Sequence, residues 1–554
     1  MKKLFKPLGL SAAVAAVAAG YAGVASAQST AIGQLGDLGI IPYYTVKDNW
    51  VTGVHIINSS NETQVVKLRL RRGSDSADAL DFNLIMSPKD EWTGFIDDSD
   101  GDIVFTTDDN TCTAPIRADG RFVMPTIFRE GADEGYIEVI GMGAAGNTST
   151  LDTIPNTAIA RAAEHVDGVP RDCAAVASNF FANGVSGTTK GIVDNETSVQ
   201  AVPDVVAYAR ATASVCVPAA IPANAGLPGV CDNAYSEAGN ALKVSYFFRD
   251  ATAGTEMGNN AVHIANFSVD AWMTNQETGL FSGDVQGFDY PDLDGGPLTG
   301  SIGVPASYDL RGLYNNLRDG AVLGVSTVLN DWSVAAARNV STDWVVTMPG
   351  QYTMIDYATW ASGAGLDFDN CATLDDPNTA GDDSVAACDF RDIPVTAAIT
   401  LYDREEGEIV PEDGDLVISP APPGTENELL FPTEVNVVQW TDGSQDPVLP
   451  SDYATTVDPS VLGEFGWASL SVTSTDDWDQ WVCQFAPSAT KDYTWSNEPN
   501  LAPRTNAPFT FCESATGGVP VVGFVAWQRS FPSNPDANYG RLVEHSYTPG
   551  STAP

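Results

Sequence analysis

The sequence predicts a mainly β protein, built as several β-sandwich domains of immunoglobulin-like type, with a small helical insertion after the first domain. Three observations carry that expectation. Apolar and polar residues alternate over short runs, the period-two signature of a half-buried strand. Turn residues such as Arg72-Gly73-Ser74-Asp75 and Asp98-Ser99-Asp100-Gly101 punctuate the runs at the spacing of roughly 8–12 positions expected of a sandwich. Finally, 43% hydrophobic residues and 12 tryptophans supply enough apolar mass for real cores despite a formal charge of −45, which argues against a disordered acidic chain.

Residues 1–27 read as a secretory leader. Lys2, Lys3 and Lys6 form a basic start, Leu8 to Val24 is apolar, and Val24-Ala25-Ser26-Ala27 offers the small-x-small cleavage pattern, so the expected mature start is Gln28. No cysteine stands directly after the expected cleavage site, and no later run reaches the roughly 18 apolar residues of a membrane-spanning helix. Residues 28–148 are expected to form the first sandwich. Val65–Arg71 places Val66, Leu68 and Leu70 on one face and Lys67, Arg69 and Arg71 on the other. Further strands are expected at Asp81–Met86, Trp92–Ile96, Ile103–Thr107, Phe122–Phe128 and Tyr136–Met142.

Residues 149–345 read as a middle domain. Thr157–Val166 and Cys173–Phe181 are alanine-rich without alternation and read as helices, separated by Gly168-Val169-Pro170. Strands are expected at Leu242–Phe248, Val322–Leu329 and Trp344–Met348, with loops over 215–235 and 280–310. Residues 346–554 form a C-terminal β-rich domain with strands at Ala397–Tyr402, Val435–Trp440, Trp467–Val472, Trp481–Phe485 and Val521–Trp527, and acidic loops over 365–392 and 403–428. No repeat of fixed period is visible, and the two β-rich ends do not match in sequence.

Charge narrows the function classes. There are 27 basic and 72 acidic side chains, and losing the leader's three lysines takes the formal charge to about −48. Nucleic acid and anionic membranes, which bind through basic patches that release counterions, are therefore not expected partners. The eight cysteines, Cys112, Cys173, Cys216, Cys231, Cys371, Cys388, Cys483 and Cys512, contain no CxxC pair. In an exported chain this favours disulfides over metal clusters. Spacing does not choose among the pairings; the expectation is sequential pairing, each bond closing a local excursion.

No catalytic motif stands out. The four histidines, His55, His165, His263 and His545, include no HExxH pair, and no GxSxG elbow, P-loop or GxGxxG fingerprint occurs. His263, flanked by Ala261, Val262 and Ile264, reads as a core histidine. Asp476, Asp477, Trp478, Asp479 and Trp481 could line a sugar site, although a sandwich strand with its polar loop explains them as well. Calcium is the candidate cofactor, because hard cations want several oxygens from a short loop. The candidate ligands are Asp98, Asp100 and Asp102 around Gly101, Asp289, Asp292 and Asp294 before Gly295-Gly296, and Asp367 and Asp369 beside Cys371. None has EF-hand spacing. Against the acidic background, Lys67, Arg69, Arg71 and Arg72 cluster within six positions. They read either as locally paired or as a docking strip for another copy or for an anionic cell-surface polysaccharide.

Several stretches resemble a family of exported proteobacterial cell-surface, surface-layer-like proteins. They are Leu38 to Val46, Ile57 to Ser60, Val65 to Arg69, Leu80 to Leu84, Ser87-Pro88, Trp92-Thr93, Thr342 to Pro349, Tyr402 to Glu406 and the region of Val521, Gly523 and Phe524. The resemblance implies an abundant secreted or surface protein that builds envelope or matrix material, and it carries over no catalytic residue. The resulting expectation is an exported, non-enzymatic, self-associating structural protein, with a secreted carbohydrate-binding or carbohydrate-active protein as the alternative.

Overall fold

The computed structural model describes most of residues 28–145, 158–177, 237–267, 316–356, 395–485 and 509–550. The chain is mainly β, in several sheets that are almost entirely antiparallel. Sheet I runs, in spatial order, Ser29–Thr30, Val262–Ala265, Leu38–Thr45, Glu134–Ala145, Thr63–Arg72, Asp78–Met86, Cys112–Ala114. Sheet II runs Thr255–Asn260, Leu242–Asp250, Trp50–Asn58, Glu91–Ser99, Asp102–Thr106, Arg121–Val123. The two faces meet through aromatic side chains. Phe82 of sheet I stacks on Phe122 with centroids 3.8 Å apart and meets Trp92 and Phe105 edge-on at 6.1 and 5.6 Å.

The second sandwich pairs sheets III and IV. Sheet III runs Glu408–Ile409, Val395–Tyr402, Phe465–Ser474, Gly324–Ser333, Val519–Pro520. In addition, Glu428–Phe431 pairs with Val395–Tyr402, and Ser546–Pro549 with Gly324–Ser333. Sheet IV runs Val417–Ser419, Ala454–Asp458, Val435–Trp440, Val340–Thr347, Val522–Arg529, Tyr539–Glu544. Its core is a tryptophan cluster: Trp440 stacks on Trp332 at 5.8 Å and lies 5.1 Å from Trp344.

The two sandwiches share one topology. In chain order, Leu38–Thr45, Trp50–Asn58, Thr63–Arg72, Asp78–Met86, Glu91–Ser99, Asp102–Thr106, Glu134–Ala145, Leu242–Asp250, Thr255–Asn260 and Val262–Ala265 occupy the places that Gly324–Ser333, Val340–Thr347, Val395–Tyr402, Glu428–Phe431, Val435–Trp440, Ala454–Asp458, Phe465–Ser474, Val522–Arg529, Tyr539–Glu544 and Ser546–Pro549 occupy in the second. Each strand sits in the equivalent sheet beside the equivalent neighbours. A local device repeats too. Thr52 Oγ1 accepts from Thr45 N–H at 3.1 Å and donates to Thr45 O at 3.0 Å. Thr342 Oγ1 does the same with Ser333 N and O at 3.0 and 3.2 Å. In both cases the hydroxyl ties the end of one strand to the start of the next across a short 3-10 turn. One ladder departs from the pattern: Val435–Trp440 pairs with Ala454–Asp458 in parallel.

The repeats are fused through sheet IV, whose central strands Val435–Trp440 and Val340–Thr347, with the first half of Val522–Arg529, are buried on both faces. Trp344, Val346, Val438 and Val525 enter the second core, whereas Val345, Val437, Phe524 and Ala526 join the hydrophobic cluster of the first. Direct bonds cross the seam: Thr347 Oγ1 to Pro42 O at 2.6 Å, Val435 N to Gly73 O at 2.9 Å, and Asp452 N to Glu134 Oε1 at 2.7 Å. Gly73 is required there, since a Cβ would come within 2.6 Å of the Tyr453 ring.

Several expectations are revised. The division at 148 and 345 does not match sheet membership: Leu242–Asp250 and Val262–Ala265 complete the first sandwich, and Gly324–Ser333 opens the second. Non-local strand pairing is what local composition misses. Each sandwich also carries more strands than the seven to nine of an immunoglobulin domain. Leu38–Thr45 escapes period-two reading because all eight of its residues are buried, and because Pro42 argues against a strand. The proline is tolerated opposite Tyr136, where the ladder register shifts. Helices form at Ala158–Ala163 and Cys173–Ala177. Among the described residues no helix is long and apolar enough to cross a membrane.

Candidate functional surfaces

The basic cluster is not a docking strip. Lys67, Arg69 and Arg71 are fully buried, and all of Thr63–Arg72 except Arg72 itself is inaccessible. Their alternation is real, but the face opposite Val66, Leu68 and Leu70 is a second interior. Strand register sets Arg69 between Glu138 and Asp81. Lys67 Nζ lies 2.9 Å and Arg69 Nη2 3.3 Å from Asp81 Oδ2, and Arg71 Nε lies 3.1 Å from Glu138 Oε2. Arg71 also donates to Ser76 O at 2.8 Å. Buried charges persist only when paired and hydrogen-bonded, so this is a structural ion network. The sequence signal was present in Asp81, Asn83 and Glu138, acids and amides at the polar positions of neighbouring strands. Arg72 reaches outward, to Glu130 O at 3.5 Å.

Two of the three candidate ligands of the acidic turn at Gly101 lie among the described residues. Asp98 Oδ1 accepts from Gly101 N–H at 3.1 Å, and Asp102 is paired with Arg129. Among the described residues no three His, Cys, Asp or Glu side chains converge as a metal site. Asp100, Asp289, Asp292, Asp294, Asp367 and Asp369 lie outside the described residues, as do Asp476, Asp477, Trp478 and Asp479.

Cys112 and Cys173 are bonded, with Cα atoms 5.0 Å apart and 61 residues between them in sequence. The bond ties the second helix to the edge strand Cys112–Ala114, and a loop of that length is worth about 4 kcal/mol in the chain-entropy model. Strand register sets Cys483 opposite Cys512. Cys216, Cys231, Cys371 and Cys388 lie outside the described residues.

All four histidines sit in structural hydrogen bonds or ion pairs. His55 Nε2 lies 2.8 Å from Glu91, and His165 bridges Ser87 Oγ and Asn110 Oδ1, both at 2.9 Å. His263 Nε2 accepts from Val244 N–H at 2.8 Å, which places its proton on Nδ1. His545 Nε2 donates to Val345 O at 2.9 Å, and its Nδ1 accepts from Asn330 at 3.1 Å. Burial lowers both His263 and His545 to about 4. Both also line a cavity of about 420 Å³ at the seam, with Ala31 and Val262 contributed by the first sandwich and Val325 and Tyr547 by the second.

These groups set a pH dependence. An unfolded imidazole takes its proton near pH 6.5, so His263 and His545 remove stability as pH falls from about 6.5 toward 4. Asp343 runs the other way. Burial pushes its carboxyl up to about 7, even though Val448 N–H and Leu449 N–H each donate to Oδ2 at 2.8 Å. An unfolded Asp ionises near pH 4, so this group costs stability as pH rises from about 4 to 7. Asp343→Asn keeps an acceptor for both N–H groups. Urea midpoints from pH 4 to 7 should show the variant gaining on wild type by up to about 1.4 kcal/mol per pH unit; a constant difference across that range would contradict the assignment.

Alternation in the second sandwich exposes an aromatic strip that sequence reading missed. Ala468, Leu470 and Val472 enter the core, so Trp467, Ser469 and Ser471 face outward. Trp467 stacks on Tyr402 with centroids 3.7 Å apart and planes 5° from parallel. The available signal was a tryptophan at a polar position of an alternating strand.

Among the described residues, fold and surface thus define a tandem β-sandwich protein with a buried ion network and an exposed aromatic strip. No protein-family model matches the chain, and no curated protein or solved structure is detectably similar to it.

Proposed function

We propose that the chain is an exported, non-enzymatic structural protein of the cell surface or extracellular matrix, which self-associates in a surface-layer-like manner. The observation that carries this reading is the fusion of two topologically equivalent sandwiches through one shared core, which makes a stiff unit rather than two hinged modules. The leader-like N-terminus and the resemblance to surface-layer-like proteins support the same reading. A folded chain near −48 repels its own copies, so assembly requires salt or divalent cations such as calcium as a screen. Sedimentation and electron microscopy of residues 28–554, with millimolar calcium added and then chelated, test it. Large assemblies that the chelator disperses are expected; a monomer under both conditions, at physiological salt and high protein concentration, would contradict the proposal.

A further inference from the structure

The strip around Trp467 continues across the end of the second sandwich. Strand register sets Trp467 between Tyr402 and Asp331 in one row of sheet III. Asp331 lies 3.9 Å from Arg541, and the Arg541 guanidinium sits 5.0 Å over the Trp527 ring, which is 5.6 Å from Tyr539. The order is therefore two aromatic stations, Trp467 with Tyr402 and Trp527 with Tyr539, bridged by one carboxylate and one guanidinium. Four of its six members are open to solvent, Trp467 being 40% and Tyr539 46% exposed and the Arg541 and Asp331 side chains 58% and 48%, while Tyr402 and Trp527 are half-buried. Beside Trp467, Ser469 faces Thr400, and Ser471 faces Thr327 across the adjoining ladder.

We propose that this strip binds a neutral polysaccharide, a function separate from assembly. A pyranose ring presents an apolar C–H face that packs on an aromatic plane, and equatorial hydroxyls that pair with planar carboxylate and guanidinium groups. The strip offers both, in alternation, over more than one sugar unit. A protein partner of apolar character would need a contiguous hydrophobic patch, and here charged groups divide the aromatics. An anionic glycan is disfavoured by the formal charge of −45.

Depletion of the mature protein by insoluble cellulose, chitin and starch granules at physiological salt tests the proposal, with immobilised polygalacturonate as the anionic control. Retention on at least one neutral polymer, weakened at least tenfold in Trp467→Ala at an unchanged thermal midpoint, is expected. Tyr539→Ala, at the second station, should weaken retention in the same direction and carries the test if Trp467→Ala misfolds. Retention on none of the three neutral polymers, on polygalacturonate alone, or equally by wild type and both variants would overturn it. So would a loss of sedimenting assemblies in Trp467→Ala without loss of retention, which would make the strip a contact between copies.

Discussion

Replacing Arg69 and Arg71 together by glutamate unfolds the first sandwich. Both side chains are inaccessible, and both sit against carboxylates, Asp81 and Glu138. Breaking one buried ion pair by removing a partner costs about 3–5 kcal/mol, because a charge is stranded in low dielectric. Reversal at two sites adds like-charge repulsion and exceeds much of the roughly 5–15 kcal/mol that holds a domain together. Loss of near-UV circular dichroism and of a cooperative urea transition is the expected readout; a soluble variant with a wild-type midpoint would contradict the buried network. A milder comparison separates packing from charge. Removing both members, as in Arg71→Met with Glu138→Leu, should cost less than Glu138→Leu alone, since the double variant leaves neither of these two charges stranded.

Phe524→Ala is expected to cost about 3–5 kcal/mol and to loosen the seam between the repeats. Phe524 is fully buried on the side of sheet IV that faces the first sandwich, with its ring 5.7 Å from Phe248 and 6.1 Å from Tyr246. Few other substitutions of one residue remove as much of the shared core. The urea midpoint should fall, and the two repeats should begin to unfold separately. A variant whose midpoint and single transition match wild type would show that the seam carries little of the stability.

Much of the strand content was legible in the sequence, because Val435–Trp440, Trp467–Val472 and Leu242–Phe248 alternate or run apolar between turn residues. The Cys112–Cys173 bond was legible as one of four sequential pairs. The topology was not. Thr52 and Thr342 hold equivalent corners, but Trp50-Val51-Thr52-Gly53-Val54 and Val340-Ser341-Thr342-Asp343-Trp344 share little beyond the threonine, since sandwich packing asks for volume and alternation rather than identity. The basic strip was legible only as two alternatives, local pairing or docking, for a related reason. Period two separates two faces of a strand but does not say that the polar face meets water, and in Thr63–Arg72 it meets acids from both neighbouring strands. Trp467 was legible only as a strand residue, because its outward direction follows from Leu470 and Val472 entering the core.

The central claim is that two repeats with one topology behave as a single body. Differential scanning calorimetry of residues 28–554 under non-reducing conditions tests it most directly. One transition is predicted, with calorimetric and van't Hoff enthalpies equal. Two resolved transitions, each with the enthalpy of one sandwich, would contradict it.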